Sequence, residues 1–142
     1  MPDELTGVSE SSSIAVTAEL PLDFQTAIES SKRLLSLGRD WDGSDAEPVS
    51  LPTWTTATGL LQNTIFNIGV DISIPVPTIS ACRDGSIDLF WKTTKFTLLI
   101  NIKPSKVRPD FYAETTDGLV LEGTFSREIR DFSVILRALL GK

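Results

Sequence analysis

The feature that most constrains this chain is a change of period. Between residues 21 and 68 the apolar side chains recur at three- and four-residue spacing, and between residues 78 and 122 they recur at every second position. A period near 3.6 lays an apolar stripe along one face of a helix, and a period of two lays one along one face of a strand. The chain is therefore expected to be helical first and pleated afterwards. Pro75 and Pro77 stand at the changeover.

The helical half divides in two. In "PLDFQTAIESSKRLLSLG", Phe24, Ala27, Ile28, Ser31, Leu34 and Leu35 share a stripe, Asp23 suits the capping turn, Lys32 and Arg33 suit the C-terminal end, and Gly38 suits the stop. In "SLPTWTTATGLLQNTIFNIG", Ser50 is the expected N-cap, Pro52 lies in the first turn, and Trp54, Ala57, Leu61, Ile65 and Ile68 form the stripe up to Gly69. The threonines and Gly59 are poor helix formers, so this helix is expected to need tertiary packing.

The pleated half reads as a meander. A strand at residues 78–82 is followed by the turn "RDG", then by "SIDLFWKT" with Ile87, Leu89 and Trp91 on one face. Thr93 and Thr94 connect it tightly to "KFTLLINIK", where Phe96, Leu98, Ile100 and Ile102 alternate. "RPDFYAETTDG" places Phe111 and Ala113 opposite Tyr112, and Asp117 with Gly118 turns the chain into a short fifth strand at residues 119–122. The closing "FSREIRDFSVILRALLGK" returns to the helical period through Phe125, Ile129, Phe132, Leu136 and Leu139 or Leu140. The expected fold is α+β: two N-terminal helices, an antiparallel meander of four to five strands, and a C-terminal helix packed on one sheet face. Residues 21–142 form a single domain. Residues 1–20, rich in Ser, Glu and Thr, are expected to be a flexible N-terminal arm with a short strand at residues 14–18.

Composition narrows the chemistry. The chain of 142 residues contains no histidine and one cysteine, Cys82. Histidine-based nucleophilic catalysis and zinc sites of the usual kind are excluded within the chain, as is an intrachain disulfide. The net charge is −6, with −7 in residues 1–60 and +1 in residues 61–142. An acidic chain lacks the global counterion-release term that drives non-specific DNA binding. The N-terminus has no basic start and no apolar core of a secretory signal, and no apolar run reaches membrane-spanning length. The expected location is cytoplasmic.

The densest cluster of ionisable groups is "GRDWDGSDAEP", residues 38 to 48. Asp40, Asp42, Asp45 and Glu47 are hard-cation ligand types, but a calcium-hand register started at Asp40 puts Asp45 where glycine belongs and Leu51 where the bidentate glutamate belongs. The expectation is a structural connection between helices. Trp41 would lie against the core, Asp42 would accept backbone N–H groups in an Asx-turn, and Gly43 would take positive φ. Asp40, Asp45 and Glu47 are then the candidate partner-binding carboxylates. "DWDGSDAEP" also resembles the D/N-W-D-G-x-G-A-x-P signature of small bacterial proteins of unassigned function. The resemblance runs over residues 30–122, through "RDGSIDLFW", "TLLINIKP", Phe111 and Tyr112, and departs from the signature at Asp45, where the family has glycine. It implies a structural role for Trp41, Asp42 and Gly43 and brings no catalytic residues.

Two further patterns bear on function. Asp88 with Asn101 and Lys103 resembles the D…(D/E)-x-K arrangement of metal-dependent nucleases, with Asn101 lacking the second charge. Lys92, Lys95, Lys103, Lys106 and Arg108, near Phe90, Phe96 and Tyr112, form an alternative nucleic-acid patch, although lysines of this kind also protect sheet edges. Arg83 beside Cys82 is a group that lowers a thiol pKa, but without histidine the expectation for Cys82 is a buried or half-buried core thiol. The leading expectation is a non-enzymatic protein-binding module (adaptor, antitoxin- or immunity-like, or chaperone-like) recognising a basic protein partner, with no cofactor and no metal. The alternatives are a nucleic-acid-associated protein using the hairpin lysines and a metal-dependent enzyme using Asp40, Asp42 and Asp45, or Asp88. A dimer through a sheet edge is compatible with the strand pattern.

Overall fold

A computed structural model of the chain describes residues 20–68, 74–125 and 129–141. The arm expected at residues 1–20, Leu20 apart, lies outside these residues, as do its short strand and the stop at Gly69. Leu20 itself packs against the core.

Helix α1, Leu22–Ser31, starts from Pro21, whose extended backbone at φ −54° and ψ 148° occupies the N-cap without a side-chain bond. Asp23 serves the first turn instead of capping it, accepting the Phe24 amide at 2.9 Å. The helix does not run on to Gly38 in α form. It tightens into a 3₁₀ segment at Lys32–Ser36, where Leu34 is buried. At the junction the Ser31 hydroxyl donates back to the Ile28 carbonyl at 2.6 Å, a local bond that competes with regular helix.

Helix α2, Leu51–Ile68, is capped as its sequence predicts: Ser50 Oγ accepts the Thr53 amide at 3.3 Å. Its buried face is rotated from the expected stripe. Thr53, Ala57, Leu60, Leu61, Thr64 and Ile68 are buried, while Trp54 and Ile65 are half-buried at the flanks. Threonine tolerates this position because its hydroxyl has a carbonyl one turn back: Thr64 donates to Leu60 at 2.8 Å and Thr58 to Trp54 at 3.0 Å.

Five strands follow: β1 Thr78–Ala81, β2 Ile87–Lys92, β3 Phe96–Ile102, β4 Asp110–Thr115 and β5 Val120–Thr124. They lie in chain order in one sheet, every neighbour antiparallel. The register places Ile87, Leu89 and Trp91 beside Ile102, Ile100 and Leu98, and Leu98 beside Ala113, so all of them point to one face. That face is the core: Ile87, Leu89, Leu98, Ile100 and Ala113 are 0% exposed. Helix α1 packs against β1, and α2 against β2 and β3. The last helix, α3 at Ile129–Leu139, packs along α2, so the helical layer is built helix on helix as well as on the sheet. Arg137 of α3 donates to the Ile68 carbonyl at 2.6 Å and so covers the C-terminal end of α2. Phe125 precedes α3 and stacks on Phe111, with ring centroids 4.8 Å apart. Among the described residues no helix is long and apolar enough to cross a membrane.

Gly59 lies inside α2, and a Cβ built there meets nothing within 4 Å. Glycine in a helix interior costs about 0.5–1 kcal/mol relative to alanine. Gly59→Ala is expected to raise the unfolding free energy by about that amount, read from the midpoint of a urea titration at unchanged slope.

Candidate functional site

The acidic stretch is a closed loop held first by bonds within itself. The Asp40 amide donates to the Ala46 carbonyl at 2.7 Å, and the Gly43 amide donates to the Asp40 carbonyl at 3.1 Å. Asp42 Oδ1 accepts the amides of Ser44 at 2.8 Å and Ala46 at 3.1 Å, the Asx-turn expected of it. Asp40 Oδ1 accepts the Asp45 amide at 2.6 Å. Gly43 has φ +76°, as expected, and two further residues take positive φ: Asp40 at 63° and Asp45 at 67°. Asp45 is therefore left-handed at the position where the resembled signature has glycine.

Trp41 departs from its expected place. Its indole is half-buried and lies outside the core. The positive φ at Asp40 turns the chain back, and the indole Nε1 donates to the Glu47 carbonyl at 2.8 Å, closing the loop rather than anchoring it. The core tryptophan is Trp91, 1% exposed, whose Nε1 donates to the Pro75 carbonyl at 2.8 Å.

The loop docks on the turn between β1 and β2. The Glu47 amide donates to the Arg83 carbonyl at 2.7 Å. Arg83 reaches back, its Nη2 donating to the Ser44 carbonyl at 2.6 Å and its Nε lying 3.2 Å from Asp42 Oδ2. Gly85, at φ +84°, lets the two segments close: a Cβ there would stand 3.0 Å from the Pro48 carbonyl oxygen. Arg83 and Gly85 are the residues that sequence reasoning missed. The signal for a turn at "RDG" was legible, but nothing in a single sequence says that this turn receives the other loop.

This arrangement decides what the carboxylates can do. Asp40 and Asp42 are committed to backbone N–H groups and Arg83, and Glu47 Oε1 pairs with Arg39 at 2.8 Å. The Asp45 carboxylate has no partner among the described residues. Among those residues no group of three or more cysteine or carboxylate side chains is placed to hold a metal ion.

The hairpin constellation does assemble, on the sheet face opposite the core. Asp88 and Asn101 are cross-strand neighbours, and Asn101 Nδ2 donates to Asp88 Oδ1 at 2.7 Å and to Ser86 Oγ at 3.0 Å. Lys103 Nζ donates to Asn101 Oδ1. Asn101 thus links a carboxylate to an ammonium where the nuclease pattern needs a second carboxylate. Asp84 is held below the usual carboxylate range, chiefly by the Ser86 hydroxyl that donates to it at 2.5 Å.

The five basic residues do not form one patch. Lys92 and Lys95 lie at one end of β2 and β3, while Lys103, Lys106 and Arg108 follow the opposite end of β3. Neither β2 nor β3 is an edge strand, so Lys92 and Lys95 do not guard an edge, while Lys106 reaches Thr124 on the edge strand β5 at 3.4 Å. Lys106 is engaged with Asp110 at 2.5 Å, which together with the Thr124 hydroxyl holds that carboxyl low.

Cys82 is the half-buried thiol expected of it, and Arg83 does not activate it. Burial, with Asp88 and Asp84 nearby, pushes its thiol up from 9.0 to about 11, while the arginine side chain is turned toward the acidic loop.

Asp45→Gly is expected to stabilise the chain by about 0.5–1 kcal/mol, because glycine adopts positive φ without a Cβ penalty, whereas Asp45→Val should destabilise it. Equilibrium unfolding of the two variants checks both signs. For Cys82, a thiol moved from 9.0 to about 11 holds about a hundredfold less thiolate at pH 8. Iodoacetamide should therefore alkylate the native protein far more slowly than the urea-unfolded chain at pH 8, with the native rate climbing as pH approaches 11. Equal rates at pH 8 would contradict this placement of the thiol.

Comparison of the chain with protein-family models, with curated proteins and with solved structures returned no match. The functional reading therefore rests on the residues and their geometry.

Proposed function

We propose that this chain is a non-enzymatic protein-binding module recognising a basic protein partner, in the manner of an adaptor, an antitoxin- or immunity-like protein or a chaperone. The observation that carries the reading is the docked acidic loop. Its backbone is tied to itself and to the β1–β2 turn, so the exposed side chains of Asp45 and Glu47 project from a preorganised platform. A partner meeting such a platform has little loop ordering to offset. The charge of −7 over residues 1–60 adds long-range attraction for a basic surface, which acts mainly on association rate. The absence of histidine and the protonated Cys82 support the non-enzymatic part of the reading. The same proposal places the protein in the cytoplasm, where a lone cysteine stays reduced, and among the small bacterial D-W-D-G proteins. Positive φ at Asp45, where their signature carries glycine, supports that kinship.

Among the candidate contact residues Asp40, Asp45 and Glu47, Asp40 also holds the loop through the Asp45 amide, so the test is made at Asp45 and Glu47. The test is affinity capture from the native host, followed by binding kinetics with Asp45→Asn and Glu47→Gln combined. Asparagine keeps the left-handed backbone accessible. The double variant should associate several-fold more slowly, with a smaller change in dissociation, and should lose less affinity than the wild type when salt is raised. If Lys103→Glu with Lys106→Glu abolishes binding and the carboxylate variant binds normally, the hairpin is the binding surface and the nucleic-acid reading is the better one.

A further inference from the structure

The sheet has a second face, and it carries a self-complementary pattern. By register, Phe90, Leu99 and Tyr112 form an apolar row across β2, β3 and β4. Tyr112 is 41% exposed, while Phe90 and Leu99 are half-buried among their neighbours. The contacts of α1 and α2 with the strands fall on the side where the core residues point, and α3 packs along α2. Among the described residues no helix covers the opposite side. One level along the strands, Lys92 lies next to Thr97 and Thr97 next to Glu114. Lys92 and Glu114 are exposed, and neither makes an ion pair among the described residues.

We propose that this face binds a second copy of the chain, sheet on sheet, about a two-fold axis parallel to the central strand β3. Such an axis carries β2 of one copy onto β4 of the other at the same level. Phe90 then meets the partner's Tyr112, Leu99 meets the partner's Leu99, and Lys92 meets the partner's Glu114, each contact formed twice where it lies off the axis. Sheets facing each other keep their strands within about 30°, which long side chains at this distance from the axis can span. Asp88 falls opposite the partner's Asp110, whose charge Lys106 already offsets at 2.5 Å. The other in-plane axis, across the strands, fits worse: it sets Lys92 against the partner's Asp88, but Glu114 against the partner's Asp110 and Glu122 against its own copy. Five strands about 4.8 Å apart and about six residues long give roughly 500 Å² of flat face per copy. About 1,000 Å² for the pair is the lower limit of a specific interface, so the dimer should be concentration-dependent, on the order of micromolar. This association is separate from the acidic-loop reading, and neither needs the other.

Sedimentation equilibrium tests it with the full chain and two variants. Both substituted side chains are exposed, so the fold should be undisturbed. Lys92→Glu and Glu114→Lys each place like charges opposite one another twice, and each should weaken self-association about tenfold or more. An equimolar mixture of the two variants should recover it. In the mixed pair the new carboxylate of one copy faces the new ammonium of the other, and the remaining native pair is intact. Recovery in the mixture is specific to this axis. A wild type that stays monomeric up to about 500 μM leaves the face to a different protein and overturns the proposal. Single variants that dimerise as the wild type does overturn it as well, and so does a mixture no tighter than its components.

Discussion

The Glu47 amide donating to the Arg83 carbonyl at 2.7 Å joins the two halves of this molecule. Residues 40–47 join the two helices of the helical half and residues 82–86 open the first hairpin, so the bond spans the point at which the hydrophobic period changes. Around it the backbone has little freedom. Arg83 holds the Ser44 carbonyl, Asp42 holds Arg83, and Gly85 admits the Pro48 carbonyl. With the loop placed, α2 begins at a fixed point over β2 and β3, and the buried face of the sheet meets its helices in one register. Packing supplies the bulk of the stability, and this junction ties the segment entering α2 to the first hairpin.

Much of the fold was legible because burial and period coincide. In β2 and β3 every second residue is fully buried, so Ile87, Leu89, Trp91, Phe96, Leu98, Ile100 and Ile102 declared both the strands and their inner face. The helices were less transparent, for reasons that polarity hides. Thr53, Thr58 and Thr64 are buried in α2, and a stripe read from apolar residues alone turned the helix toward Trp54 and Ile65 instead. A threonine whose hydroxyl bonds the preceding turn costs little when buried, and that bond exists only once the helix does. The retreat of α1 into 3₁₀ geometry before Gly38 was equally hidden, since Leu34 sits on the buried side in either form.

At the acidic loop the sequence showed which residues were unusual without showing how each was used. Asp42 and Gly43 behaved as local chemistry requires, because an Asx-turn and a positive φ are both short-range events. Trp41 did not: its size suggested the core, whereas its N–H found the Glu47 carbonyl at the surface. Asp40, Asp45 and Glu47 looked alike on paper and are three different things. One carboxylate is a backbone acceptor, one has no partner among the described residues, and one is half of an exposed ion pair. The difference lies in long-range closure, 40 to 46 and 47 to 83, which composition does not encode. The lysines failed as a patch for a simpler reason. An antiparallel pair sends residues before a turn and residues after the next turn to opposite ends of the sheet.

The edges and faces of the sheet explain where association is affordable. β1 is four residues long and enters from Pro77, and β5 is almost wholly exposed, with Glu122 and Gly123 in its middle. A short strand and a charged, glycine-interrupted one are poor templates for edge pairing. Edge-to-edge dimerisation, compatible with the strand pattern at the outset, is thus the weaker route in the folded chain. The open face has the opposite character: its backbone groups are already paired within the sheet, so covering it leaves no N–H or C=O unsatisfied. What remains to be matched there are side chains: an aromatic and aliphatic row in the middle, Lys92 and Glu114 on one side of it, and Asp88 and Asp110 on the other. A surface of that kind selects a partner by its pattern of charge rather than by area, and in the dimer proposed above that selection rests on Lys92 and Glu114.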